Sequence, residues 1–418
     1  VVTLDDIRRA RERITASAHP GAIYHSPCPY SLSLSRLCGC QIYCKLDHLQ
    51  MTGSFKERGA RNKLLQLTQA QRAAGVAGGV IAASAGNHAL GLAYHGQLLS
   101  IPVTVVMPRW APLIKVSNCR SFNANVILHG DTYDEARKLA RTTAESEKLT
   151  FIPGFDDPDI IAGQGTMGLE ILEDVPDVDA VIIPVGGGGL IAGVGTAIKA
   201  LRPETRIIGV EPCNAPTLDA SLRAGKVTRI ETKPTLADGL AVAEIGKLCF
   251  DMIKGMIDQL VLVDEPQIAK AIVRLLELEK TVVEGAGAVP LAAASDRSLG
   301  LEGKKVVLLL CGGNIDVTLI SRIIERGLAA DGRLCRISAT ITDRPGGLAH
   351  LTKTIAATGA SIKEVHHDRN FGPPDISRVY VSCVLETRDF DHIAEIEAAL
   401  RADAFEFTIA SPDAPKFE

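Results

Sequence analysis

Lys56 sits in the run Thr52-Gly53-Ser54-Phe55-Lys56-Glu57-Arg58-Gly59-Ala60, whose residue types could make its side chain a nucleophile. Ser54 followed by Glu57 at the third position has the form of a capping box and predicts a helix with Ser54 as its N-cap. Lys56 then falls in the first helical turn, where the macrodipole disfavours an ammonium, and Arg58 adds like-charge pressure in the same direction. A lysine kept neutral can condense with a carbonyl, since only the free amine attacks. From this segment alone, an ordinary surface lysine early in a helix is an equal reading.

Three further motifs could surround such an amine. Val185-Gly186-Gly187-Gly188-Gly189-Leu190 follows an apolar strand-like run and opens a helix. Consecutive glycines there let backbone N–H groups converge on an anion such as a phosphate. Ser84-Ala85-Gly86-Asn87-His88 also joins a strand to a helix, and its amides with the Ser84 and Asn87 side chains could bind a carboxylate. Cys311-Gly312-Gly313-Asn314 follows a third strand, at the strand end where α/β proteins bind ligands. Gly187, Gly189 and Ala192 with Glu211 also imitate a dinucleotide fingerprint, so a nicotinamide-dependent dehydrogenase competes. That reading leaves Lys56 and the other two motifs without a role.

The elements that must hold these motifs alternate. Strand-like runs at 41–46, 79–83, 102–107, 125–128, 180–185, 206–211, 259–263 and 305–310 are separated by amphipathic helical stretches, and residues 25–35 read as a Pro/Ser-rich loop. This order predicts βαβ units in parallel sheets, hence an α/β fold. After about residue 330 the pattern changes to strand 335–343, helix 347–358, strands 362–369 and 378–385, helix 389–401 and strand 406–410. That βαββαβ order is ferredoxin-like.

Taken together, the motifs resemble the threonine/serine dehydratase branch of the fold-type II pyridoxal 5′-phosphate (PLP) enzymes, over about residues 5–325. The resemblance implies two parallel-sheet α/β domains, a large PLP-binding one from residues 1–52 and 153–328 and a small one from residues 53–152. It implies Lys56 as the lysine that carries the cofactor and the α-proton base, with Gly186, Gly187, Gly188 and Gly189 cradling the phosphate. Phe55 and Gly239 would flank the ring, Asn87 would bond its hydroxyl, and Cys311 would face its nitrogen. Ser84, Ala85, Gly86, Asn87 and His88 would take the substrate carboxylate. The implied reaction is loss of water from L-threonine or L-serine, giving a 2-oxo acid and ammonia. Serine racemase or a β-replacing relative is the alternative. Racemases of this group carry a serine where Ala85 stands, and alanine has no proton to give. Glu211 and the Ala215 carbonyl are in register with that group's cation site, but Thr217 replaces an expected carboxylate. A weakened divalent site, or a monovalent ion, is the expectation.

Thr342-Asp343-Arg344-Pro345-Gly346-Gly347-Leu348 opens the first helix of the C-terminal unit, residues 333–411, which resembles the ACT regulatory domain. Amides at Gly346, Gly347 and Leu348 would bind an amino-acid effector, by resemblance isoleucine or valine, between paired subunits of a homodimer or homotetramer. A sensor with a vestigial PLP site is disfavoured, because such a protein has no need of Lys56, the glycine loop and Cys311 together.

Composition agrees with this reading. The 418 residues are 46% hydrophobic but only 4% aromatic, and the net charge of −4 offers no field for nucleic acid. No apolar run approaches the ~20 residues of a membrane span, and the start of the chain has no hydrophobic signal core. A cytoplasmic protein with reduced thiols is expected. Cys28, Cys38, Cys40 and Cys44, flanked by His25 and His48, lack the spacing of a zinc site.

Overall fold

A computed structural model describes the chain except residues 17, 18, 20, 75–77, 370–374 and 411–418. By its contacts the protein divides into two compact units, Val1–Ile315 and Asp316–Glu418. The helix Val317–Ala330 therefore goes with the C-terminal unit, whereas the sequence reading ended the large domain at residue 328.

In the first unit the strands are β1 Tyr30–Ser31, β2 Gln41–Lys45, β3 Val80–Ala83, β4 Val103–Met107, β5 Asn125–Leu128, β6 Thr150–Phe151, β7 Ala180–Pro184, β8 Arg206–Pro212, β9 Gln259–Val263 and β10 Lys305–Leu309. They form a six-stranded sheet ordered β1-β2-β10-β7-β8-β9 and a four-stranded sheet ordered β5-β4-β3-β6. All pairings are parallel except β1 with β2. The central strands β7 and β3 are buried along their whole length, which is why they read as unbroken apolar runs. The two-residue strands β1 and β6 are too short to show periodicity. One stretch expected to be loop is helical: Leu32–Cys38 is capped by the Ser31 side chain and closed by Gly39 at φ 73°.

The helix Pro158–Asp174 ties the site together. It starts cleanly because Asp157 caps it and Pro158 needs no N–H partner in the first turn. A Cβ on its Gly163 would lie 2.6 Å from Gly59 Cα, in the helix Lys56–Ala74. On the neighbouring helix Gly189–Leu201, a Cβ on Gly193 would lie 2.3 Å from the Ile161 carbonyl. Backbone contact on both sides thus sets the lysine-bearing helix and the helix behind the glycine loop at a fixed separation.

The C-terminal unit continues with β11 Leu334–Thr342, β12 Ser361–Asp368, β13 Arg378–Glu386 and β14 Glu406–Ala410. These make an antiparallel sheet ordered β12-β13-β11-β14, with helices Gly347–Ala357 and Phe390–Ala402 completing the expected βαββαβ order. In β11, Cys335, Ile337, Ala339 and Ile341 are buried while Arg336, Ser338 and Thr342 are exposed, the alternation of a sheet with one covered face. Among the described residues no helix is long and apolar enough to cross a membrane.

Candidate active site

The motifs of the first unit gather at the C-terminal ends of β3, β7 and β10. A short ladder fixes the lysine segment there: Ser54 bridges Gly312, Phe55 N–H donates to Cys311 O at 3.0 Å, and Gly313 N–H donates to Gly53 O at 2.9 Å. Lys56 follows as the first residue of its helix, half-buried, its Nζ donating to Gly154 O at 2.6 Å and lying 5.2 Å from the centre of the Phe55 ring. Burial lowers its pKa to about 8, against the opposing pull of Cys249, Cys311 and Glu284.

The origin of that lowered pKa differs from the sequence reading in two respects. The capping box does not form. Glu57 turns to the Thr52 N–H and to His95 Nε2, leaving the buried Ser54 Oγ without a partner among the described residues. Nor does Arg58 press on Lys56. Its guanidinium is fully buried on the other side of the helix, bonded to Asp47 and Glu170.

The glycine loop leaves β7 and bends through Gly188 at φ 92° into the helix Gly189–Leu201. A Cβ on Gly187 would fall 2.2 Å from the Phe155 ring, and one on Gly186 would fall 3.1 Å from Leu240 Cα. Only glycine lets these walls approach so closely. Among the described residues, the amides of Gly186, Gly187, Gly188 and Gly189 donate to no carbonyl in a turn, cap or loop. Gly239, in the turn Asp238–Leu240, passes within contact of Ala286 and Glu284.

In the loop after β3, Ser84 N–H donates to Val106 O at 3.2 Å and Ser84 Oγ accepts from Gly86 N–H at 3.2 Å. Ala85 is half-buried beside the core of the four-stranded sheet. Asn87 opens the helix Asn87–Leu98 and donates from Nδ2 to Glu284 Oε1 at 2.7 Å, while its Oδ1 accepts from Asn314 Nδ2 at 2.8 Å. His88 is buried against the Ile152 carbonyl at 3.3 Å. Burial and then Lys56 push its pKa down to about 3, so it is a neutral packing imidazole and carries no charge for a carboxylate. Cys311 is buried, and its thiol is pushed well above its usual range by burial, so it remains protonated. Sequence reasoning passed over Glu284, Gly154 and Phe155 and gave Asn314 no role. The one available signal for Glu284 was a carboxylate heading the small-residue helix Gly285–Ala294.

The pyridoxal-phosphate dependent enzyme model matches residues 20–312, which take in Lys56, the Ser84–His88 loop, the glycine loop, Glu284 and Cys311. The chain belongs to this family. An L-threonine ammonia-lyase of Thermotoga maritima is 46% identical over 409 residues, 98% of this chain and 100% of its own length. The solved structure of the processed form of threonine deaminase isoform 2 from Solanum lycopersicum aligns with a TM-score of 0.71 at 38% identity, over 77% of this chain and 88% of its own. That of maize serine racemase aligns with a TM-score of 0.72 at 32% identity, over 78% and 98%. The residues present suit the cofactor of this pyridoxal-phosphate family: an amine with a lowered pKa, an orphaned buried hydroxyl at Ser54, and unengaged amides at a helix N-terminus.

A cation fits this member of the family less well. Both oxygens of Glu211 are held by the helix Thr217–Ala224, from Leu218 N–H at 2.7 Å and Asp219 N–H at 3.0 Å. The Ala215 carbonyl accepts Thr217 N–H at 3.0 Å, and Thr217 Oγ1 donates to Val242 O at 2.6 Å. The Glu211 and Ala215 ligands expected from sequence are therefore engaged by the fold. Among the described residues no group of His, Cys, Asp or Glu is placed to hold a metal. The N-terminal cysteines are not assembled either: His48 bonds Thr281 Oγ1 at 2.6 Å, His25 bonds Asp174 at 2.8 Å, and burial pushes the Cys28 and Cys38 thiols up to about 12. Gly346, Gly347 and Leu348 lie in the second unit, where Gly346 at φ 98° is the N-cap of the helix Gly347–Ala357.

Proposed function

We propose that this protein is an L-threonine ammonia-lyase that also accepts L-serine. The observation that carries the reading is the Lys56 amine, its pKa lowered to about 8 and its Nζ on the Gly154 carbonyl beside Phe155 and the glycine loop. The full-length similarity to a threonine ammonia-lyase supports it. Bound pyridoxal phosphate supplies an electron-withdrawing ring that eases loss of the substrate α-proton.

The protein's part is then positional and protonic. Gly186, Gly187, Gly188 and Gly189 would present amides to the phosphate, Phe55 and Gly239 would flank the ring, and Cys311 would offer a neutral thiol to the ring nitrogen. The amides of residues 84–88 hold the substrate carboxylate. Lys56, whose lowered pKa makes the free amine far more available than in an ordinary lysine, takes the α-proton at Nζ. The β-hydroxyl departs as water, and hydrolysis of the resulting unsaturated amine leaves 2-oxobutanoate and ammonia. Ala85 has no proton to return to the opposite side of the substrate, which favours elimination over racemisation.

The decisive assay is release of 2-oxobutanoate from L-threonine and of pyruvate from L-serine, with D-serine measured alongside. Both oxo acids should appear with little D-serine. Absence of either oxo acid from a cofactor-loaded protein, or racemisation faster than elimination, would sink the assignment. Gly187→Ala should weaken cofactor retention about tenfold or more, because Phe155 or the loop must shift by an overpacking displacement worth ~1–3 kcal/mol. Absorbance after dialysis reads this directly, and undiminished retention would contradict the cradle role.

The C-terminal unit completes the proposal as an ACT-like regulatory domain. At the N-cap turn Gly347 N–H donates to Arg344 O at 3.0 Å, which leaves the Gly346 and Leu348 amides for an amino-acid carboxylate, and Asp343 beside it is held by Arg369 through contacts of 3.0 Å and 3.1 Å. A branched-chain amino acid bound there, at the pairing of two subunits, would regulate the lyase. The check is a shift in threonine saturation by isoleucine or valine that Gly346→Ala removes, since alanine resists φ 98°.

A further inference from the structure

Glu284 is buried, yet among the described residues no ion pair reaches it. Its Oε1 accepts from Asn87 Nδ2 at 2.7 Å. Room for it exists only because residue 312 is glycine, since a Cβ there would lie 2.1 Å from Oε1. The chain of hydrogen bonds runs on in one direction. Asn314 Nδ2 donates to Asn87 Oδ1 at 2.8 Å and to the Thr52 carbonyl at 2.7 Å.

Both ends of this chain are acceptors only. The Thr52 carbonyl and an ionised Glu284 have no proton to give, so Asn314 must turn its nitrogen to Thr52 and to the Asn87 oxygen. Asn87 in turn must face Glu284 with nitrogen. Asn87 Oδ1 and one of its N–H bonds are thereby engaged, and a single N–H remains. We infer that Glu284 is a positioning residue acting through Asn87, locking the amide so that its remaining N–H is offered to the ring oxygen of the bound cofactor. This rests on the function proposed above.

Protonation weakens the lock. A neutral carboxylic acid is a poorer acceptor for the Asn87 Nδ2–H than a carboxylate, while Asn314, tied to the Thr52 carbonyl, still keeps Asn87 Oδ1 turned towards it. The groups facing Glu284 set where this happens: Asp238 in the turn beneath, Lys115 from the helix Leu113–Ser121, Lys56, and Cys311 at the end of β10. Lys115 is bound to Asp238 at 3.2 Å, so its charge is largely answered there. Burial, then Asp238, hold the Glu284 pKa up at about 7. The hold of Glu284 on Asn87 therefore weakens within the working pH range as pH falls.

The test is a pH titration of the absorbance of the cofactor-loaded enzyme without substrate, in wild type, Glu284→Gln and Asn314→Asp. Wild type should show a spectral step centred near neutrality. Glu284→Gln, which cannot ionise, should lack it and lose about tenfold in kcat, the scale of one charge-assisted hydrogen bond. Asn314→Asp retains Glu284 but adds a carboxylate, so its step should move to higher pH. A step that persists unmoved in both variants, or that is absent from wild type, overturns the inference. A wild-type step with no lyase activity would instead sink the function while leaving the role of Glu284 standing.

Discussion

Lys56→Ala should lose activity by about four orders of magnitude, the upper range for removal of a positioned general base. It should also fail to develop the absorbance of lysine-bound cofactor. A Glu284→Gln loss would be small beside this, because that residue orients while Lys56 reacts. Stability of the cofactor-free protein should move the other way. The folded amine titrates near 8, below its ordinary value of 10.5, so the folded state carries a penalty when the unfolded chain is the better proton acceptor. That penalty is fully present below pH 8, fades as pH rises through the interval between the two values, and is gone above the upper one. Lys56→Met, which keeps the stem and discards the charge, should raise the unfolding temperature at pH 7 and leave it nearly unchanged near pH 11. An unchanged unfolding temperature at pH 7 would mean that the amine is not destabilised in the fold, and the nucleophile argument would lose its physical basis.

Legibility in the sequence followed the range of the interactions involved. Strands β3, β7 and β10 were readable because burial on both faces leaves only apolar side chains, and the glycine loop because four glycines in a strand–helix junction have few other uses. The βαββαβ order was legible through its alternation. What escaped depends on partners remote in the chain. Glu284 meets Asn87 across 197 positions and Arg58 meets Glu170 across 112, and neither spacing leaves a local trace. Local rules also misled where such partners won. Ser54 and Glu57 have the pattern of a capping box, but His95 and the Thr52 amide claim the carboxylate. Arg58 looked like pressure on Lys56 by proximity in sequence, when two residues along a helix place side chains on different faces. Glu211 looked like a metal ligand by register, when the nearest electropositive group is a helix N-terminus.

Arg58→Met should be the most destabilising single change in the first unit, by about 3–5 kcal/mol, because it strands buried carboxylates. The guanidinium makes two bonds to Asp47, at 2.7 and 2.9 Å, and two to Glu170, at 2.7 and 2.8 Å. Lys45, buried with them, is shared between Glu170 at 2.8 Å and Asp174 at 3.1 Å and cannot neutralise Asp47 as well. Burial alone would raise the Asp47 pKa, but the charge and hydrogen bonds of Arg58 hold it below the usual range. In wild type this contribution is therefore present above the unfolded value of ~3.9 and is lost only as pH falls through the lower folded value. Without Arg58 the sign reverses. Asp47 is then raised above its unfolded value, so the variant is penalised at neutral pH and recovers as falling pH protonates it in the fold. The gap in urea midpoint between Arg58→Met and wild type should be widest near pH 7 and narrow towards pH 4. Arg58→Lys should fall between them, since a point charge cannot serve two carboxylates in bidentate geometry. A gap constant with pH would assign the loss to packing alone. The helix that presents Lys56 would then be held by its glycine seam with Pro158–Asp174, and the buried charges would be incidental to the site.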